Sequence, residues 1–190
     1  RSSDLLQSGQ TYVFRQHCAH CNPEEQNSAI MNLYGVCVES SLPEVRVEGS
    51  CGATEAGRVR EEALLELMGH LLAEPSFDQL RTKEQLGYIV NTSTTTVGHG
   101  LFLRIIVQSN SRDPHYLDGR IGNFLVQYRE TLADMSEEEL RTNVTATFEE
   151  LLEKPKNLDE EANRLWEECN SSLYLFDRRE RKAAQLSGTD

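Results

Sequence analysis

The chain has 190 residues, 38% of them hydrophobic and 26% charged, an ordinary globular composition that excludes wholesale disorder and suits a single domain with a real core. Its 31 acidic residues against 19 basic ones give a formal net charge of −12. A surface of that sign repels phosphate, which argues against nucleic acid and anionic membranes as partners, and without a run of about 18 apolar residues no transmembrane helix is expected.

The opening RSSDLLQSGQ lacks a Met and a charged-then-apolar leader. It does not read as a signal or transit peptide, and a start at Arg1 reads as an interior cut in something longer. Five cysteines, an odd number scattered along the chain, do not form a disulfide pattern, so an intracellular, reducing compartment is favoured. Asn-x-Ser/Thr triplets begin at Asn91, Asn143 and Asn170. Two of them fall inside predicted helices, where they make poor acceptors, and glycosylation is not expected. The acidic clusters at 137–139, 149–150 and 159–161 read as solvated helix faces.

In chain order, residues 11–16 alternate apolar and polar around Tyr12 and Phe14 and read as a strand. Asn22-Pro23 breaks the chain. Residues 29–38 read as a second strand, with Ile30, Asn32, Tyr34, Val36 and Val38 on one face, antiparallel to the first. Residues 39–54 carry Pro43, Gly49 and Gly52 and read as a loop insertion, with room for a short strand at 45–47. Leu64, Leu67, Met68, Leu71 and Leu72 follow the spacing of an amphipathic helix, which Pro75 is expected to end. Ser76 and Gln79 form a capping-box pattern for a new short helix to about Gln85, stopped by Gly87.

Residues 88–97 are Thr-rich and β-branched, and with 101–108 they read as a hairpin turned at His99-Gly100. Asp113-Pro114 opens a helix with Asp as N-cap and Pro at the first turn; Leu117, Ile121, Phe124, Leu125, Tyr128 and Leu132 form its stripe. Ser136 with Glu139 opens another, carrying Leu140, Val144, Phe148 and Leu151 and closed by Pro155. A last helix is marked by Ala162, Leu165, Trp166, Cys169 and Leu173. Residues 178–190 read as a truncated tail. This order predicts an α+β fold, an antiparallel-rich sheet with helices packed on one face, over a single domain 1–190.

Two stretches carry candidate chemistry. Cys18 and Cys21 lie in His17-Cys18-Ala19-His20-Cys21, and thiolate and imidazole are zinc ligands. No second Cys-x-x-Cys or His pair follows, and in an extended strand the two thiols point to opposite faces. A zinc site there is the weaker alternative to a strand end with incidental thiols. Neither H-E-x-x-H nor H-x-x-E-H occurs, so no zincin-type site is expected in this chain. The second stretch is residues 81–88, where a helix end passes through Gly87 into a strand. A guanidinium at Arg81 and a phenol at Tyr88 are donors suited to a peptide carbonyl or its oxyanion. Equally, Arg81 can pair with Asp78 or Glu84 while Tyr88 packs in the core.

The run Phe77-Asp78-Gln79-Leu80-Arg81-Thr82-Lys83-Glu84-Gln85-Leu86-Gly87-Tyr88-Ile89-Val90 resembles a segment from the C-terminal half of insulinase (pitrilysin-like) zinc metalloendopeptidases. Residues 104–109 (RIIVQS), 114–117 (PHYL), 153–158 (EKPKNL) and 174–178 (YLFDR) fit the family in the same order. The resemblance spans about residues 12–177. It implies one of four homologous domains forming two bowl-shaped halves that enclose a peptide, with the zinc held by H-x-x-E-H and a distal Glu in the first.

This chain then resembles the fourth, non-zinc domain, partnered by the N-terminal zinc-bearing half. Arg81 and Tyr88 match the residues that reach across the chamber to bind substrate backbone and support the tetrahedral intermediate. Zinc would be a cofactor of the full-length enzyme, bound by another domain, and this segment alone would be inactive. Relatives that serve as inactive scaffold subunits of processing peptidases and respiratory complexes supply the alternative. By this resemblance, residues 40–54 are longer than the family's usual connection. The chain also stops where the family would continue with a further helix and a closing strand. The Cys18 and Cys21 cluster is no family feature.

Overall fold

The computed structural model describes residues 11–15, 26–37, 55–97, 100–170 and 174–187. Strand β1 (Ser28–Cys37) is followed by helix α1 (Glu55–Ser76), which runs straight into a π-helical segment, Phe77–Lys83. The hairpin β2 (Ile89–Val97) and β3 (Gly100–Ser109) comes next. Helices α2 (Pro114–Ala133), α3 (Glu137–Leu152), α4 (Leu158–Asn170) and α5 (Arg178–Ser187) complete the chain.

The three strands form one antiparallel sheet in the order β1-β3-β2. Its register stacks Ile30, Val107 and Val90 across the sheet, then Asn32, Ile105 and Thr92. Side chains alternate faces along a strand. The face with Leu101, Leu103, Ile105 and Val107 therefore turns to α1 and α2 and is buried. There it joins Leu65, Leu72, Leu117, Ile121, Phe124 and Tyr128 in the main core. A second cluster joins α1, α3 and α5 through Ala63, Leu67, Leu71, Leu151, Ala183 and Leu186. The α+β class, the hairpin and the helices on one face stand as expected.

The α2 N-cap also stands: the Asp113 carboxylate accepts from the N–H groups of His115 and Tyr116 at 3.0 and 3.1 Å. So does Ser136, whose hydroxyl accepts from Glu139 N at 3.2 Å.

Several expectations are corrected. Residues 11–15 form no strand; Tyr12, Val13 and Phe14 are exposed, and β1 pairs with β3 instead. Two alternating aromatics are too short a pattern to fix a strand without a buried face. Pro75 does not end α1. It lacks the N–H that would bond the Leu71 carbonyl four residues back, but the buried Tyr128 hydroxyl donates to that carbonyl at 2.7 Å, so the helix survives.

Ser76 is no cap either. Its backbone is helical, and its buried hydroxyl lies 2.7 Å from the Thr92 hydroxyl and donates to the Ala73 carbonyl at 3.0 Å. In α1, Leu65 rather than Leu64 is buried. Residues 178–187, expected as tail, form α5, which packs on α1 and α3. The loop insertion 39–54, Gln16 and Val38 lie outside the described residues.

Helix α4 is turned the other way round from its neighbours. None of its residues is buried, and Trp166 is 69% exposed. Its polar side lies inward: Glu168 holds Arg178 at 2.6 Å, and Arg164 approaches Glu180 at 3.7 Å. The expected stripe of Leu165, Trp166 and Cys169 therefore faces away from the core. Asn91, Asn143 and Asn170 sit on β2, α3 and α4. No helix is long and apolar enough to cross a membrane, among the described residues.

Candidate functional site

Arg81 and Tyr88 meet where the π-helical segment gives way to β2. A π-helix bonds each N–H five residues back, and such segments are rare and frequent at functional sites. Here the N–H of Glu84 donates to the Gln79 carbonyl at 3.0 Å. The next turn reverses through Gln85 at φ 51°, and the N–H of Leu86 closes back on the Leu80 carbonyl at 3.0 Å. That is the geometry of a helix C-terminus capped by a left-handed residue. Leu80 and Leu86, fully buried, nail the turn to the core. Gly87 is required by close approach: a Cβ there would lie 1.9 Å from the Gln108 carbonyl oxygen of β3.

From this fixed turn the Arg81 guanidinium projects between two aromatic rings. Its central carbon is 4.7 Å from the Phe77 centroid and 5.4 Å from the Tyr88 centroid. Both are within cation–π range, and each contact is worth about 0.5–1 kcal/mol at an exposed site. Tyr88 is 82% exposed, so it is not the core strand residue that one sequence reading allowed.

The other half of that reading fails as well. Asp78 is taken by Lys83 at 2.8 Å. Both Glu84 carboxylate oxygens accept from Arg120, Oε2 from Nε at 2.6 Å and Oε1 from Nη2 at 2.7 Å. Gln79 Nε2 also donates to Glu84 Oε1 at 2.7 Å. The Arg120 hydrogen bonds, helped by Gln79 and outweighing burial, hold the Glu84 carboxyl below the usual carboxylate range. Among the described residues Arg81 is left with aromatic contacts and no ion pair.

Sequence reasoning singled out Arg81 and Tyr88, and the structure brings them together. It missed the roles of Phe77 and Arg120, and took Glu84 only as a possible partner of Arg81. Phe77 could have been found from its position four residues before Arg81 on a helix. Arg120 lies 36 positions from Glu84, and no local pattern links the two. Cys18 and Cys21 lie outside the described residues. Among the described residues no group of three or more His, Cys, Asp or Glu side chains is placed to hold a metal ion.

A separate open cleft of about 700 Å³ runs between α1, β2, the α3–α4 connection and α5, past Glu66, His70, Thr92, Glu150 and Arg178. Charges of both signs line it, and it does not include the Arg81–Tyr88 pair.

A three-stranded antiparallel sheet covered on one face by helices, with an arginine between aromatics at its rim, defines an α+β domain. Residues 67–166 match the family model described as PQQ synthase PqqF-like, C-terminal lobe domain 4. Insulin-degrading enzyme of Homo sapiens is 37% identical over 145 residues, 74% of this chain and 14% of that protein. The peroxisomal insulin-degrading enzyme-like 1 of Arabidopsis thaliana is 30% identical over 181 residues, 95% of this chain and 17% of that one. The crystal structure of pitrilysin superposes with a TM-score of 0.65 at 25% identity, covering 86% of this chain and 16% of that chain. The chain belongs to the insulinase family of metalloproteases, as a C-terminal domain. It spans only 14% to 17% of the length of these curated relatives.

Proposed function

We propose that this domain works as the non-zinc part of a zinc metalloendopeptidase, closing over a peptide and presenting Arg81 and Tyr88 to the substrate in trans to a zinc site held by an N-terminal domain. Zinc, when bound there, polarises the scissile carbonyl and activates water. The sequence carries neither H-E-x-x-H nor H-x-x-E-H, and on this reading the ion is held by another domain of a full-length, intracellular enzyme.

The observation that carries this reading is the state of Arg81. A guanidinium paired with a carboxylate has spent its charge, whereas Arg81 is stacked between Phe77 and Tyr88 with its charge uncompensated by any described carboxylate. Stacking fixes the plane of the fork and leaves its edge N–H groups for a peptide carbonyl. The exposed Tyr88 hydroxyl adds a neutral donor beside it. Donors set in place before the reaction cost no reorganisation as negative charge develops on the carbonyl oxygen.

The test is complementation. The purified chain alone should hydrolyse no peptide, and mixing or fusing it with the zinc-bearing N-terminal half should restore hydrolysis. Peptide hydrolysis by the isolated chain would overturn the proposal and the scaffold role together, whereas no recovery on fusion would overturn the proposal and leave the scaffold role standing.

A further inference from the structure

Arg81 has two potential quenchers on its own segment. Asp78 and Glu84 lie three residues before and after it, and residues three apart are neighbours on a helical surface. A carboxylate on the guanidinium would compete directly with a substrate carbonyl. Neither carboxylate reaches it, because each is engaged by another cation. Lys83 takes Asp78 at 2.8 Å, in a pair whose side chains are 63% and 50% exposed, so this restraint is weak.

The Glu84 restraint is of another kind. Its side chain is only 15% exposed and is gripped through both oxygens by the Arg120 fork, with Gln79 adding a third donor. Paired planar bonds of this sort fix geometry as well as charge.

Resting on the proposed role of Arg81, we infer that Arg120 is a positioning residue: from α2 it holds the Glu84 carboxylate away from Arg81, keeping that guanidinium free for substrate. It also ties the end of the π-helical segment to α2, between the residues that bear the two donors. Arg120 itself touches no substrate. Its effect passes through Glu84 to Arg81, and that gives it a signature that a purely structural ion pair lacks.

The experiment compares Arg120→Gln, Arg120→Lys, Glu84→Gln/Arg120→Gln and Arg81→Ala/Arg120→Gln in the full-length enzyme, with kcat and KM measured on one peptide. Freeing Glu84 with Arg120→Gln should lower kcat about tenfold, part of the 10²–10³ that loss of a whole donor costs. Removing the freed charge in Glu84→Gln/Arg120→Gln should recover kcat to within about threefold of wild type. Arg120→Lys, which keeps a cation on Glu84, should stay within about twofold. In the Arg81→Ala background, Arg120→Gln should change kcat no further. A double variant no more active than Arg120→Gln alone, or full additivity with Arg81→Ala, overturns the inference. Wild-type kcat in Arg81→Ala itself would instead overturn the proposed function.

Discussion

Two arginines in this domain sit in opposite circumstances. Arg178, at the start of α5, is clasped by two carboxylates: Glu168 at 2.6 Å and Glu62 at 2.7 Å. All three side chains are nearly buried, at 13%, 12% and 7% exposure. Burial works against its charge, but the hydrogen bonds and charges of Glu168 and Glu62 outweigh that and raise its pKa. Arg81, at the π-helical rim, has two rings and no described carboxylate. The first arginine joins α1, α4 and α5, and its charge is consumed in doing so. The second contributes little to holding the domain together and keeps its charge. In an acidic chain of net charge −12, an arginine that escapes every described carboxylate is the less expected of the two.

Breaking the first arrangement should have the largest effect on stability. Arg178→Met leaves Glu62 and Glu168 buried with a partner removed, and should cost about 3–5 kcal/mol, read as a fall in the urea midpoint of the chain. Tyr128→Phe comes next. It orphans the Leu71 carbonyl that Pro75 already left without a backbone donor, at a cost of about 1–3 kcal/mol. An unchanged midpoint in that variant would mean that α1 does not depend on Tyr128 to pass Pro75.

Acid should have a smaller effect near the site. The Glu84 carboxyl titrates below its ordinary 4.5 in the folded chain. Its contribution is therefore complete above about 4.5 and is lost as pH falls through the lower, folded value. Glu84→Gln should flatten that acid limb of stability, and an identical limb in both proteins would place the loss elsewhere. Arg81→Ala should be smallest of all, about 1–2 kcal/mol for two exposed ring contacts.

The same contrast separates what could be read in the sequence from what could not. Local devices were legible. Asp113-Pro114 and Ser136 set helix starts with their own side chains, and the Thr-rich run followed by residues 101–108 predicted the hairpin of β2 and β3. The passage of α1 through Pro75 was not legible, because its substitute donor comes from Tyr128, 57 residues from Leu71. Helix α5 was missed because Arg178–Ser187 has few apolar residues. Besides the buried Ala183 and Leu186, what anchors it is ionic: Arg178 on Glu62, and Lys182 on Glu66 at 2.7 Å, both contacts spanning 116 positions.

Helix α4 gave a sound apolar stripe with the wrong destination, since periodicity finds a face and not what covers it. At the site, Arg81 and Tyr88 were found, but whether Arg81 was quenched depended on Arg120, which no spacing rule connects to it.

The central claim is that Arg81 acts on substrate and not on the fold. Its most direct test is kcat and KM for peptide hydrolysis by the full-length enzyme carrying Arg81→Ala, with thermal unfolding recorded beside it. The kcat should be about 10²–10³ lower, with KM raised less and the unfolding temperature lowered by only a few degrees. A wild-type kcat in a folded Arg81→Ala enzyme would contradict the claim.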